Sequence, residues 1–166
     1  YNSNGATSGA VPADATNYNI GSSAVVAGNT GSLARTGYSF AGWTLAADGS
    51  GTVYQSGQTL TWGSASQILY AKWTANTYTL TYNYNGATGG NGTASANYTT
   101  GGTAITLPTP TKTGYTFAGW YAESGFTTLI SGAQSPGADA TLYAKWTANT
   151  YTITYNYNFA KRCCTI

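Results

Sequence analysis

The sequence repeats itself at domain scale. Gly37-Tyr38-Ser39-Phe40-Ala41-Gly42-Trp43 returns as Gly114-Tyr115-Thr116-Phe117-Ala118-Gly119-Trp120. The stretch from Leu69 to Thr79, opening Leu69-Tyr70-Ala71-Lys72-Trp73, returns from Leu142 to Thr152, offset by 146 − 73 = 73 residues. Tyr1-Asn2-Ser3-Asn4-Gly5-Ala6-Thr7 matches Tyr82-Asn83-Tyr84-Asn85-Gly86-Ala87-Thr88. A period of 73 residues exceeds the ~20–50 of solenoid units, so each copy is expected to close a small core of its own. The spacing predicts a first domain over 1–73, a second over 74–146, and a remainder over 147–166. The junction Trp73-Thr74-Ala75-Asn76-Thr77 has no Pro and no Gly/Ser run, and reads as a short strand-to-strand connection rather than a flexible linker.

The residues favour sheet. The 166-residue chain holds 15 Tyr and 5 Trp beside many Thr, Val, Ile and Leu, all suited to a pleated, half-buried surface. Thr77 to Tyr84 alternates: Tyr78, Leu80, Tyr82 and Tyr84 face one way, Thr77, Thr79, Thr81 and Asn83 the other. Asn85-Gly86 ends that strand. Ala104 to Leu107 is a second short strand stopped by Pro108 and Pro110, Tyr115 to Tyr121 a third, and Leu142 to Trp146 the last. No segment has a sustained helical period with caps; one short helix has room at Asn91–Tyr98 or near Ser131.

In order, the second copy carries Asn85-Gly86, Gly102 to Pro108 ending in Leu-Pro, Gly-Tyr-x-Phe-x-Gly-Trp at Gly114 to Trp120, and Leu-Tyr-Ala-x-Trp at Leu142 to Trp146. This series resembles the Listeria–Bacteroides repeat, also called the internalin-B-type B-repeat, nearly to Asn158. The first copy carries the last two motifs and departs at Leu-Pro, where Val25-Val26-Ala27-Gly28 stands. The resemblance implies a β-grasp-like domain in tandem on secreted and wall-attached bacterial proteins, with no enzymatic activity. The fold class expected is therefore mainly β: two small tandem domains and a C-terminal extra strand.

Charge and chemistry narrow the function. With 6 Lys+Arg scattered along the chain and 4 Asp+Glu, there is no cationic face for nucleic acid. The absence of His excludes Ser-His and Cys-His nucleophile pairs and His-based metal sites. Asp14, Asp48, Glu123 and Asp139 do not pair locally, and no run matches a calcium loop or a phosphate loop. No catalytic, cofactor or metal residue is therefore expected. Lys72 and Lys145 recur between Tyr and Trp; without a recurring acid to support an isopeptide bond, they read as strand lysines facing water. Trp43, Trp73, Trp120 and Trp146 could form a sugar platform, but tryptophans at repeat positions first suggest core. No stretch of ~20 apolar residues would span a membrane. An uncharged surface rich in Tyr, Thr, Asn, Ser and Gly suits an extracellular or cell-surface location.

The two ends are complementary. The first copy opens at the counterpart of Tyr82 and so lacks the counterpart of Thr77 to Thr81. After Trp146 the chain writes Thr150-Tyr151-Thr152-Ile153-Thr154-Tyr155-Asn156-Tyr157-Asn158, a first strand with no domain behind it. Either this is a cut through a longer array, or the last strand fills the open edge of the first copy in the next subunit. The second reading predicts a head-to-tail homopolymer with Tyr1, Tyr151, Ile153, Tyr155 and Tyr157 at the interface. Adjacent Cys163 and Cys164, too close to bond readily to each other, would then crosslink chains, unless the tail is a cloning scar. The alternative function is an adhesive module for carbohydrate or a host surface protein.

Overall fold

The computed structural model describes residues 1–63 and 66–156. It is mainly β, as expected: nine strands and no helix among the described residues. The segment considered for a helix holds a strand instead, Ser95–Thr99. The β-grasp arrangement rests on the resemblance alone.

Each repeat is organised by one antiparallel pair. In the first, β2 (Tyr38–Thr44) pairs with β4 (Tyr70–Ala75), Phe40 opposite Trp73 and Trp43 opposite Ala71. In the second, β7 (Tyr115–Tyr121) pairs with β9 (Ala140–Ala148), Phe117 opposite Trp146 and Trp120 opposite Ala144. Residues three apart on a regular strand face opposite sides, so Phe40 and Trp43 should not meet. A bulge between Phe40 and Gly42, matched between Phe117 and Gly119, resets the alternation. Phe and Trp then pack edge to face, with centroids 5.2 Å apart in the first repeat and 5.8 Å in the second. The bulge needs glycine: φ is +127° at Gly42 and +126° at Gly119, and a Cβ on Gly42 would lie 2.7 Å from Val53 Cγ1. Trp43 and Trp120 are buried, as their repeat positions suggested.

The opening of each repeat is tied to its closing strand. Asn4-Gly5 and Asn85-Gly86 both have two successive positive φ values, the signature of a tight primed turn. Asn4 Nδ2 donates to the Ala71 carbonyl at 2.9 Å, and Asn85 Nδ2 to that of Ala144 at 2.7 Å. Trp73 Nε1 donates to Ser3 O, and Trp146 Nε1 to Tyr84 O. In the first repeat Asn2 runs parallel to Tyr70: the Asn2 N–H donates to Leu69 O and the Ala71 N–H to Asn2 O.

Contact density divides the chain into two compact units, and the divide runs through the second repeat. One unit comprises Tyr1–Thr81, Ser95–Leu107 and Gly132–Ala140. Its core gathers Val26, Leu33, Trp43, Leu60, Leu69 and Ala71, with Tyr1, Phe40 and Trp73 packed against it. Here β1 (Ser23–Val25) pairs with β3 (Thr59–Thr61), Ala24 opposite Leu60. Most of β5 (Thr77–Asn83) lies in this unit and pairs with β6 (Ser95–Thr99). The other unit comprises Tyr82–Ala94, Pro108–Ser131 and the chain from Thr141 on. Its core holds Tyr82, Trp120, Leu142 and Ala144, and β8 (Leu129–Ile130) pairs with β7.

Candidate functional site

The polar chemistry of the chain is spent on holding loops. The Thr16 backbone N–H and then the Tyr18 hydroxyl keep the Asp14 carboxylate below its usual range, and the same Asp14 bond raises the Tyr18 phenol. Ser50 does this for Asp48 through its hydroxyl and N–H, and Thr127 for Glu123, chiefly through its hydroxyl. Asp139 accepts the Thr79 N–H at 2.7 Å. Each acid thus has a local structural task. Among the described residues no three His, Cys, Asp or Glu converge to hold a metal ion. Lys145 lies over the Tyr121 ring, 4.9 Å from its centroid, and Lys112 over Tyr115 at 4.7 Å.

One concave site stands out, a cleft of about 700 Å³ in the first repeat. Tyr1 lines it at one point, and its apolar lining includes Ala24, Val26, Leu60 and Leu69. The segment Pro12 to Tyr18 forms a wall, and Trp62, Gly63 and Gln67 also line it. Tyr18 stacks on Trp62, ring centroids 5.3 Å apart at 26°. Two buried polar atoms, Trp62 Nε1 and Gln67 Oε1, have no hydrogen-bond partner among the described residues. Such groups are costly when left unmatched.

Among the described residues the second repeat shows no such cleft at the matching place. There β5 runs the full length of the first strand; Leu80 is 2% exposed and Tyr82 7%. β5 pairs with β6 from Thr77–Thr99 to Thr81–Ser95. The first repeat has Tyr1 and Asn2 in place of Tyr82 and Asn83. Asn17-Tyr18 stands where β6 has Asn97-Tyr98, yet Asp14 to Tyr18 forms no strand and is held by the Asp14 turn.

Of the residues expected at a subunit interface, Tyr1 stands at the cleft. Tyr151, Ile153 and Tyr155 belong to no strand and are 80%, 80% and 78% exposed. Tyr157, Cys163 and Cys164 lie outside the described residues. No motif pointed to Trp62, Gln67 or the Pro12 wall: the first two lie in a Gly- and Ser-rich stretch, and the wall carries no strand pattern. The Asn17-Tyr18 echo of Asn97-Tyr98 was the one hint available.

The sequence matches the Listeria-Bacteroides repeat domain twice, over residues 1–72 and 78–145. It is similar, at 38% identity over 128 residues, to a protein of Evansella cellulosilytica provisionally named as a Gly-rich membrane protein. That match covers 76% of this chain and 14% of the relative. It is also similar to Internalin H of Listeria monocytogenes, at 35% identity over 118 residues, covering 69% of this chain and 20% of that protein. The chain thus spans a fifth or less of the length of these relatives. Among the described residues no helix is long and apolar enough to cross a membrane.

Proposed function

Because the chain belongs to the Listeria-Bacteroides repeat domain family, we propose that it is a structural, non-enzymatic module of a bacterial surface protein, and that its first repeat accepts a first strand from another copy. The cleft carries this reading. Ala24, Val26, Leu60 and Leu69 give it an apolar part, and the Pro12 to Tyr18 wall, which forms no strand, gives it a polar one. The strand that fits it is Thr150 to Asn158, whose Tyr151, Ile153 and Tyr155 repeat the spacing of Tyr78, Leu80 and Tyr82. Burying those three side chains would contribute ~1.5–3 kcal/mol each, before the ordering cost. Ladder bonds to the Asp14–Tyr18 wall would fix register. The donor's own first repeat remains open, so the contact propagates head to tail and gives a filament. Cys163 and Cys164 would then be placed to bond neighbouring chains.

Electron microscopy and sedimentation of the full chain, beside a chain lacking Thr150 to Ile166, test this. Filaments or concentration-dependent oligomers that vanish on deletion, together with a lower melting temperature for the first repeat, are the expected result. Two monomers of equal melting temperature would sink it.

The stacked Tyr18–Trp62 pair favours a second reading, an adhesive module in which the cleft takes a carbohydrate or a segment of a host protein. Glycan-array binding lost in Trp62→Ala, with no self-association of the native chain, would decide for it.

A further inference from the structure

The first repeat has a second, smaller concavity, of about 220 Å³, lined by Asn4, Arg35, Asp48, Lys72 and Trp73. It shares no residue with the larger cleft. Its wall, Ala47 to Gly49, is held by several bonds. Asn4 Nδ2 donates to the Ala47 carbonyl as well as to that of Ala71, each at 2.9 Å. The Gly49 N–H closes a turn onto Ala46 O at 3.0 Å, and the Ser50 N–H donates to Asp48 Oδ1 at 2.9 Å.

The two repeats use the cations at this place differently. In the second, Lys112 stands at the position of Arg35, and its Nζ donates to Asn85 O at 3.0 Å. Lys145 stands at the position of Lys72 and lies over two rings, 4.9 Å from the Tyr121 centroid and 5.7 Å from that of Phe126. In the first repeat Thr44 replaces that tyrosine. Lys72 has neither ring nor hydrogen-bond partner for its ammonium among the described residues. Arg35 lies flat on Tyr38, its Cζ 4.1 Å from the ring centroid, and its guanidinium donates to no acceptor among the described residues. Neither cation forms an ion pair there, because the Asp48 carboxylate is matched by Ser50.

A guanidinium stacked on a ring with its fork unspent is preset for a carboxylate or a phosphate, which it holds through two parallel bonds. Lys72 adds a second positive charge. Asp48 discriminates between the two anions: a carboxylate wall repels the extra charge of a phosphate, yet it accepts a hydroxyl. Asn4 has spent both amide hydrogens, so its Oδ1 is what it can offer, another acceptor. Trp73 has given its one polar hydrogen to Ser3 O and offers carbon. Two cations suit one anionic group, two acceptors suit hydroxyls, and the indole suits the carbons of a ring. The volume lies below the ~300–1,000 Å³ of sites for drug-sized ligands, and so suits a single ring.

We propose that this concavity binds a uronic-acid ring, its carboxylate on Arg35 with Lys72 beside it, its hydroxyls on Asp48 and Asn4, and its ring carbons against Trp73. The ligand class is thus an acidic polysaccharide. The site rests on neither reading of the cleft.

Isothermal titration of the full chain with a galacturonate trimer, its methyl ester and inorganic phosphate tests this. The trimer should bind, and the ester, which keeps the hydroxyls and loses the charge, should bind about tenfold more weakly. Phosphate should not displace the trimer. Arg35→Gln and Lys72→Gln should melt as the native chain does, since neither cationic head is bonded within it. Arg35→Gln should weaken the trimer about tenfold and Lys72→Gln less, while Arg35→Lys, which keeps the charge and loses the fork, should recover only part of the loss. Lys112→Gln, at the matching place of the second repeat, and Trp62→Ala, in the cleft, should bind as native. No binding of the trimer, equal binding of the ester, displacement by phosphate, or native-like binding by Arg35→Gln would overturn the site. Loss in Trp62→Ala but not in Arg35→Gln would move the sugar to the cleft and overturn it equally. A chain lacking Thr150 to Ile166 should bind the trimer unchanged, so the failure of strand acceptance leaves this result standing.

Discussion

The two repeats share their turn and hairpin bonds and differ in their first strand. Both hold the Asn side chain of an Asn-Gly turn on an alanine carbonyl of the closing strand, both bulge at the glycine before tryptophan, and both bury that tryptophan. In the second repeat Leu80 of the opening strand is buried; the first repeat holds a cleft of about 700 Å³. The bulged hairpin and the buried tryptophan are thus common to both repeats, whatever stands at their openings.

The comparison breaks most sharply at the shared core. Trp43→Ala and Trp120→Ala should each cost roughly 3–5 kcal/mol. Chemical denaturation of both variants should show losses of similar size if the hairpin anchors each repeat alike. The bulge comes next. Gly42→Ala and Gly119→Ala place a side chain at a φ that L residues rarely adopt, at about 1–3 kcal/mol. Gly42 should suffer more, since its Cβ position also lies 2.9 Å from the Tyr54 carbonyl oxygen, whereas Gly119 meets the movable end of Leu129.

A smaller difference separates the two equivalent tyrosines. The Tyr1 hydroxyl accepts the Ala27 N–H at 2.8 Å. Ala27 and Pro108 are equivalent, for each carbonyl accepts the indole N–H of its repeat's buried tryptophan. Pro108 has no N–H to give, and Tyr82 Oη has no partner among the described residues. Burial pushes the Tyr82 phenol up. Tyr1→Phe should cost about 1 kcal/mol and Tyr82→Phe nothing, or slightly stabilise; thermal melts of the two variants compare them directly.

The smallest effect is that of acid. Asp14 and Asp48 in the first repeat and Glu123 in the second have carboxyls lowered from ordinary values of 3.8, 3.8 and 4.5. A lowered folded value contributes stability that is present above the ordinary value and lost as pH falls through the folded one. Melting followed from pH 5 downward should therefore decline below about pH 4. Asp14→Asn should remove part of that decline, and it should loosen the cleft wall at neutral pH.

Repetition made the hairpins legible, because Gly-Tyr-x-Phe-x-Gly-Trp and Leu-Tyr-Ala-x-Trp pair with one another and little else in the chain competes. The alternation from Tyr78 to Tyr84 likewise gave its buried face correctly, with Leu80 and Tyr82 innermost. The bulge was hidden, since nothing in the spelling Phe-Ala-Gly-Trp says that its glycine takes a positive φ. β6 was obscured because Ser95–Thr99 is short and polar and becomes a strand only through β5. The cleft was least legible. Its lining joins Pro12–Tyr18 to Trp62 and Gln67 across the chain, and no period connects them.

The parallel course of Asn2 along Tyr70 has a consequence under tension. When a repeat is pulled through its two ends, force enters at its opening strand and leaves at its closing one. Those two run side by side in the same direction in the first repeat, joined by the bonds of Asn2 to Leu69 and Ala71. A pull on the two ends slides the strands past one another. It loads the bonds together in shear instead of unzipping them in turn.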